Sequence, residues 1–128
     1  MAQKIAVIDY GMGNLRSVAK AIEHVADGAV VQVTDDPKLI QAAHRVVFPG
    51  QGAARDCMAA IGEHHLNQAI LKAAANKPFL GICMGLQVLM THSQENAGTD
   101  LLGLFGGEVK RFDGNALGEN GLRLKIPH

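Results

Sequence analysis

Short apolar runs alternate along this chain with stretches whose hydrophobic positions recur every three or four residues, a pattern that predicts strands alternating with helices. Lys4-Ile5-Ala6-Val7-Ile8 is an apolar strand closed by Asp9 and followed by the turn Tyr10-Gly11-Met12-Gly13-Asn14. Leu15, Val18, Ala19, Ile22 and Val25 then fall on one helical face. Val30 to Thr34 reads as a second strand, and Asp35-Asp36-Pro37 as an N-cap with proline in the first turn of a short helix. Arg45 to Phe48 is a third strand that stops at Pro49-Gly50-Gln51-Gly52. Helices are predicted from about Ala53 to Ile61 and Leu66 to Ala75, and Lys77 to Ile82 reads as a short buried strand. Strands that are apolar throughout, rather than on alternate residues, argue a parallel sheet covered on both faces.

The pattern changes beyond about Gly98. Leu104 to Phe112 and Leu122 to Ile126 mix apolar with polar residues, the second in strict alternation. They fit a half-exposed antiparallel pair joined by the Gly- and Asn-rich stretch from Asp113 to Gly121. No internal repeat and no low-complexity segment interrupts the chain.

Composition narrows the picture. A chain of 128 residues, 48% of them hydrophobic, suits one globular domain with a single core. Twelve basic and twelve acidic residues cancel, which gives no electrostatic case for nucleic acid or an anionic membrane surface. No run approaches the roughly 20 apolar residues of a membrane span, and the opening run is too short for a secretory signal. A cytoplasmic protein is expected. Cys57 and Cys83 lack CxxC spacing and a companion histidine pattern, so neither zinc nor a disulfide framework is expected, and no cofactor.

Candidate chemistry centres on Gly81-Ile82-Cys83-Met84-Gly85. Glycines two positions either side of a nucleophile allow a tight strand-to-helix turn on which the central side chain stands exposed. With Leu86 to Met90 read as the start of a helix, Cys83 sits at a helix N-terminus, where the backbone dipole favours thiolate. The N–H of Met84 would face a developing oxyanion, and the Pro49 to Gly52 turn, at a neighbouring strand end, is the natural source of a second donor. Gln87, one helical turn after Cys83, is placed to hydrogen-bond a polar substrate, and Glu95 to anchor an ammonium group. Solvent-exposed surface roles remain open for both. Cys57, in an ordinary helical stretch, reads as a packing residue.

A cysteine that attacks an amide needs a general base, usually histidine. His24, His64 and His65 fall in helices or their connections, away from the strand-end crevice. His92 would lie roughly 13 Å from Cys83 along a helix rising about 1.5 Å per residue. None of the six histidines, His44 and His128 included, stands out as a base.

Three stretches carry a family resemblance: Ile8-Asp9-Tyr10-Gly11-Met12-Gly13-Asn14-Leu15, Phe48-Pro49-Gly50-Gln51-Gly52-Ala53, and Gly81-Ile82-Cys83-Met84-Gly85-Leu86-Gln87. The last two resemble class I (triad) glutamine amidotransferases, and the first points among these to the glutaminase subunits of imidazole glycerol phosphate synthase, in histidine biosynthesis. The resemblance runs from about Lys4 to the end. It implies an α/β fold, a flavodoxin-like three-layer sandwich with a mostly parallel sheet, here a single glutamine amidotransferase domain over 1–128 with its C-terminal part absent. Carried over, Cys83 would form a thioester with glutamine, the backbone at Gly52 and Met84 would frame the oxyanion, and Gly50, Gln87 and Glu95 would hold the substrate. Ammonia would pass to a docked (βα)8-barrel cyclase subunit.

The family's catalytic His and Glu belong to a His-Pro-Glu-type motif downstream of His128. The Pro127-His128 pair has the reverse order and is not that motif. On this reading the chain is inactive alone, exposes apolar sheet surface, and is poorly stable or associates. A non-catalytic module that only binds the partner is the alternative. A cysteine hydrolase or redox-stress protein of related fold is a third reading, disfavoured by Met84 where those proteins commonly have histidine.

Overall fold

The computed structural model describes residues 2–115 and 117–125. Four parallel strands, β1 (Lys4–Ile8), β2 (Val30–Thr34), β3 (Arg45–Phe48) and β4 (Phe79–Gly81), form a sheet in the order β2-β1-β3-β4. Between them run α1 (Leu15–Val25), α2 (Pro37–Ala42), α3 (Ala54–Glu63) and α4 (Asn67–Asn76).

Side chains alternate across a strand, and here each set meets a different helical layer. Ala6, Ile8, Val46 and Phe48 point into the larger core, with Ile40 of α2, Ile61 of α3 and Ile70 of α4. Ile5, Val7 and Val47 point the other way, onto Leu15, Val18 and Ile22 of α1. These are the three layers of the expected α/β sandwich. The larger core holds the rings of Tyr10, Phe48 and Phe79 in sequence, with centroids 5.4 and 5.9 Å apart.

Local signals act as their chemistry dictates. Asp36 caps α2 by accepting from the Lys38 N–H at 2.9 Å, with Pro37 in the first turn. Asn14 caps α1 through the Ser17 N–H. At the far end of α2, the Lys77 ammonium donates to the carbonyls of Ile40, Gln41 and Ala43 at 3.1, 2.6 and 2.7 Å. It satisfies acceptors that a helix terminus leaves unpaired.

Four expectations need correction. The strand before Cys83 is not buried: β4 is the edge of the sheet among the described residues, and Leu80 is 57% exposed. Apolar composition records that a strand tolerates burial, not that a neighbour covers it. Val25, the last residue of α1, is likewise exposed, at the rim of a groove it shares with Val18, Ile22 and Val47. The helix after Cys83 is a single turn, α5 (Met84–Gln87), so the long helical separation expected between Cys83 and His92 does not exist.

Finally, the segment 104–112 does not pair with 122–125. Glu108–Val109 (β7) instead pairs parallel with His92–Ser93 (β5), which also pairs antiparallel with Thr99–Asp100 (β6). Beyond β7 an isolated Leu117–Arg123 bridge closes a local turn, and Leu122 and Leu124 stay exposed. Ile126 and His128 lie outside the described residues. No helix among the described residues is long and apolar enough to cross a membrane.

Candidate functional site

Cys83 sits between β4 and α5 with φ 54° and ψ −121°, a torsion that non-glycine residues rarely adopt. Its carbonyl accepts from the N–H groups of Leu86 and Gln87, while its exposed thiol has no hydrogen-bond partner among the described residues. The strain is locked in from both sides. A Cβ on Gly85 would collide with the carbonyl oxygen of Phe48, and one on Gly81 would lie 2.9 Å from the Gly85 carbonyl oxygen. The glycines that flagged this turn in the sequence are thus there for close approach of backbone to backbone. Because α5 has only four residues, its dipole is far smaller than that of the longer helix expected here.

The three strand-end turns converge. Gly50 is wedged so tightly that a Cβ there would strike the Tyr10 hydroxyl and lie 3.1 Å from the Gly85 N. A Cβ on Gly13 would lie 3.6 Å from Gly50, and one on Gly52 3.2 Å from the Met12 side chain. Gly52 itself has φ 89°. Among the described residues, the N–H groups of Gly52 and Met84 donate to no protein acceptor. A developing oxyanion is stabilised by backbone donors that have no other acceptor.

Gln87 and Glu95 meet in a hollow of about 640 Å³, together with Ser93, Lys110, Arg111 and Phe112. Cys83 and Gly52 are not part of its lining. The Gln87 Oε1 is buried with no hydrogen-bond partner among the described residues. Glu95 is more committed than the sequence suggested: its Oε2 accepts from the Ala54 N–H at 2.8 Å and so caps α3, whose own N-cap residue, Ala53, cannot. The capping carboxylate ties the segment after β5 to the helix that follows Gly52. Lys110 and Arg111 went unnoticed in the sequence, since a basic pair on a polar loop carries no local signature of what it faces.

Three of the described histidines have partners of their own. His44 Nδ1 accepts from the Lys4 N–H, His64 pairs with Asp35 at 3.1 Å, and His92 pairs with Glu108 at 3.3 Å. His24 lies in the last turn of α1, and His65 lines a groove between α2 and α4. Cys57, fully buried, donates its thiol to the Gln51 carbonyl at 3.3 Å, and the Tyr10 hydroxyl donates to the Pro49 carbonyl at 2.8 Å. Burial pushes the Cys57 thiol up, with the neighbouring Tyr10 hydroxyl opposing the effect and Asp56 and Glu95 adding to it. Burial likewise raises Tyr10, with Cys57 contributing.

The chain is similar to several known proteins. The subunit HisH of imidazole glycerol phosphate synthase from Methylococcus capsulatus is 57% identical over 124 residues, covering 97% of this chain and 57% of that protein. The HisH subunit from Thiobacillus denitrificans is 59% identical over 129 residues, covering 100% and 56%. The chain therefore spans a little over half the length of these curated relatives. A crystal structure of a putative peptidase E protein from Listeria monocytogenes EGD-e shares the fold, with TM-score 0.57 at 14% identity over 70% of this chain and 50% of that one. The family model for glutamine amidotransferase class-I matches residues 6–118, and the chain belongs to that family.

Proposed function

We propose that this chain carries the nucleophile and oxyanion-binding part of a glutaminase, and that the whole protein supplies ammonia to the cyclase of imidazole glycerol phosphate synthase in the cytoplasm. The observation that carries the reading is the strained, exposed Cys83 turn, with Gly50 of the Pro49 to Gly52 turn packed against Met84 and Gly85 and the Gly52 and Met84 N–H groups unpaired among the described residues. The Cys83 sulfur attacks the carboxamide carbon of glutamine, and the N–H groups of Gly52 and Met84 stabilise the resulting oxyanion. As that intermediate collapses to the thioester, the general base passes the proton it took from the thiol to the leaving nitrogen, the C–N bond breaks and ammonia is released. Water then attacks the thioester, giving glutamate and restoring the thiol.

Gln87, Glu95 and the backbone at Gly50 hold the substrate. The hollow that joins Glu95 to Lys110 and Arg111 offers charges of both signs, which suits a zwitterionic amino acid. The general base comes from outside the described residues, a reading supported by the partners that His44, His64 and His92 already have. The domain is accordingly the N-terminal part of a class-I amidotransferase domain whose remaining part supplies the acid–base pair. A (βα)8-barrel cyclase docks over the crevice and receives the ammonia before it reaches water.

The test is glutamate release from glutamine by this chain alone, by a version extended with the remaining length its relatives possess, and by each with the cyclase. The extended protein is expected to turn over, and Cys83→Ser to lower its rate by at least about three orders of magnitude. Cys83-dependent turnover by the 128-residue chain alone would place the base within it and overturn that part of the reading. An extended protein that binds the cyclase and releases no glutamate would make it a binding module.

A further inference from the structure

We propose that the first turn of α3 and the loop after β5 together hold the Glu95 carboxylate ready for the ammonium group of the substrate, which makes Ala54, Ser93 and Thr99 positioning residues for glutamine binding. The consequence for the substrate rests on the reading of Glu95 as the ammonium anchor. Glu95 is fixed along its whole length. Its backbone N–H donates to the Ser93 hydroxyl at 3.2 Å, and its carbonyl accepts from the Gly98 N–H at 2.9 Å and from the Thr99 hydroxyl at 3.3 Å. Its side chain is held by the Ala54 N–H, 2.8 Å from Oε2. Ser93 is fully buried, so the loop is tied to the interior at the residue that ends β5. The second carboxylate oxygen, Oε1, accepts from no group among the described residues, and Glu95 lines the hollow it shares with Gln87.

The loop bears strain to keep this geometry. Asn96 and Ala97 follow Glu95 with φ of 53° and 64°, and Gly98 comes next with 112°. Alanine is costly in that region, and such torsions persist only where surrounding contacts over-determine them. The sharp reversal right after Glu95 brings the Gly98 N–H and the Thr99 hydroxyl back to the Glu95 carbonyl. A free glutamate side chain that a ligand must immobilise loses rotamer freedom worth on the order of tenfold in affinity. Here the Ala54 N–H has already immobilised it, at the N-terminal end of a 10-residue helix whose dipole favours the negative charge. A carboxylate accepts on both oxygens, so an ammonium group docks on Oε1 while Oε2 stays on α3. Substrate and helix then share one carboxylate, and loosening the helix end costs the substrate its anchor.

The test is kcat and KM of the extended protein with the cyclase, for glutamine and for glutaramate, which lacks the α-ammonium group. Ala54→Pro deletes the donor with little disturbance to the helix, because proline suits the first helical position and Ala53 before it is already extended, at φ −84° and ψ 147°. It is expected to raise KM for glutamine about fivefold to tenfold with kcat unchanged, and to leave glutaramate turnover as it was. Ser93→Ala and Thr99→Val loosen the same carboxylate from the loop side, with an expected rise in KM of about threefold, and they decide the matter if the buried site of Ala54 does not admit a proline ring. In a Glu95→Ala background none of the three should raise KM further. A glutamine KM indifferent to Ala54→Pro and Thr99→Val, in a protein where Glu95→Ala raises it, would overturn the bracket and leave the anchor standing. Equal losses for glutamine and glutaramate would also overturn it, as the mark of general structural damage. An unchanged KM in Glu95→Ala would remove the anchor and the bracket together. An extended protein that hydrolyses neither amide would overturn the glutaminase reading, and the bracket's role in binding with it.

Discussion

Cys57 and Tyr10 are both pushed toward their protonated forms by burial, and the direction of the resulting pH dependence follows from linkage. An unfolded cysteine ionises near pH 8.5 and an unfolded tyrosine near pH 10, on the order of their free values. The folded groups hold their protons to higher pH, so above those values the unfolded chain binds fewer protons than the folded one. Stability is thus fully present below about pH 8 and is lost as pH rises through the folded pKa of each group. Scanning calorimetry from neutral to alkaline pH should show the melting temperature falling, with a shallower fall in Cys57→Ala. Equal slopes would mean that the thiol is not desolvated. The sequence marks Cys83 through its flanking glycines, yet leaves Cys57 as a packing residue and Tyr10 without a role. Both act on carbonyls of a turn reached only by folding, and a contact across 39 positions leaves no local pattern.

Elements α1 to α4 and β1 to β3 were legible in the sequence because each is long enough to show a period or carries a terminal signal such as Asp36-Pro37. Strands β5, β6 and β7 have two residues each, too short for any period to be read. Leu86 to Met90 has the composition of a longer helix than α5, whereas Leu89 and Met90 are already in tighter turns bonded to Leu86 and Gln87. One long-range tie was also hidden: Lys77, just before β4, closes the carbonyl end of α2. Lys77→Met keeps the aliphatic stem and removes three donated hydrogen bonds. It should cost about 2 kcal/mol in urea unfolding, since bonds from a charged donor are worth more than neutral ones. A loss below about 0.5 kcal/mol would show that water replaces the ammonium without penalty.

At the scale of the whole molecule, the two faces of the sheet are unequally covered. The α2, α3 and α4 side holds the larger core, while the α1 side buries only Ile5, Val7 and Val47. Between α1 and the β4 edge lies an apolar groove of about 420 Å³ lined by Val18, Ile22, Val25, Val47, Leu80 and Ile82. An open strand edge beside such a surface favours pairing with another chain. The 128-residue chain is therefore expected to self-associate with rising concentration in sedimentation velocity, and Leu80→Lys to reduce that association. A concentration-independent monomer would refute the expectation. The same imbalance divides the molecule in time: α1 buries no residue fully, whereas α3 buries Ala54, Cys57 and Ile61. Helix α1 should then open as a unit of its own, with amide protons exchanging on the order of a hundredfold faster than those of α3. Each opening would free the Gly13 backbone that rests against Gly50, so the crevice is built on a slowly exchanging floor and bordered by a wall that breathes.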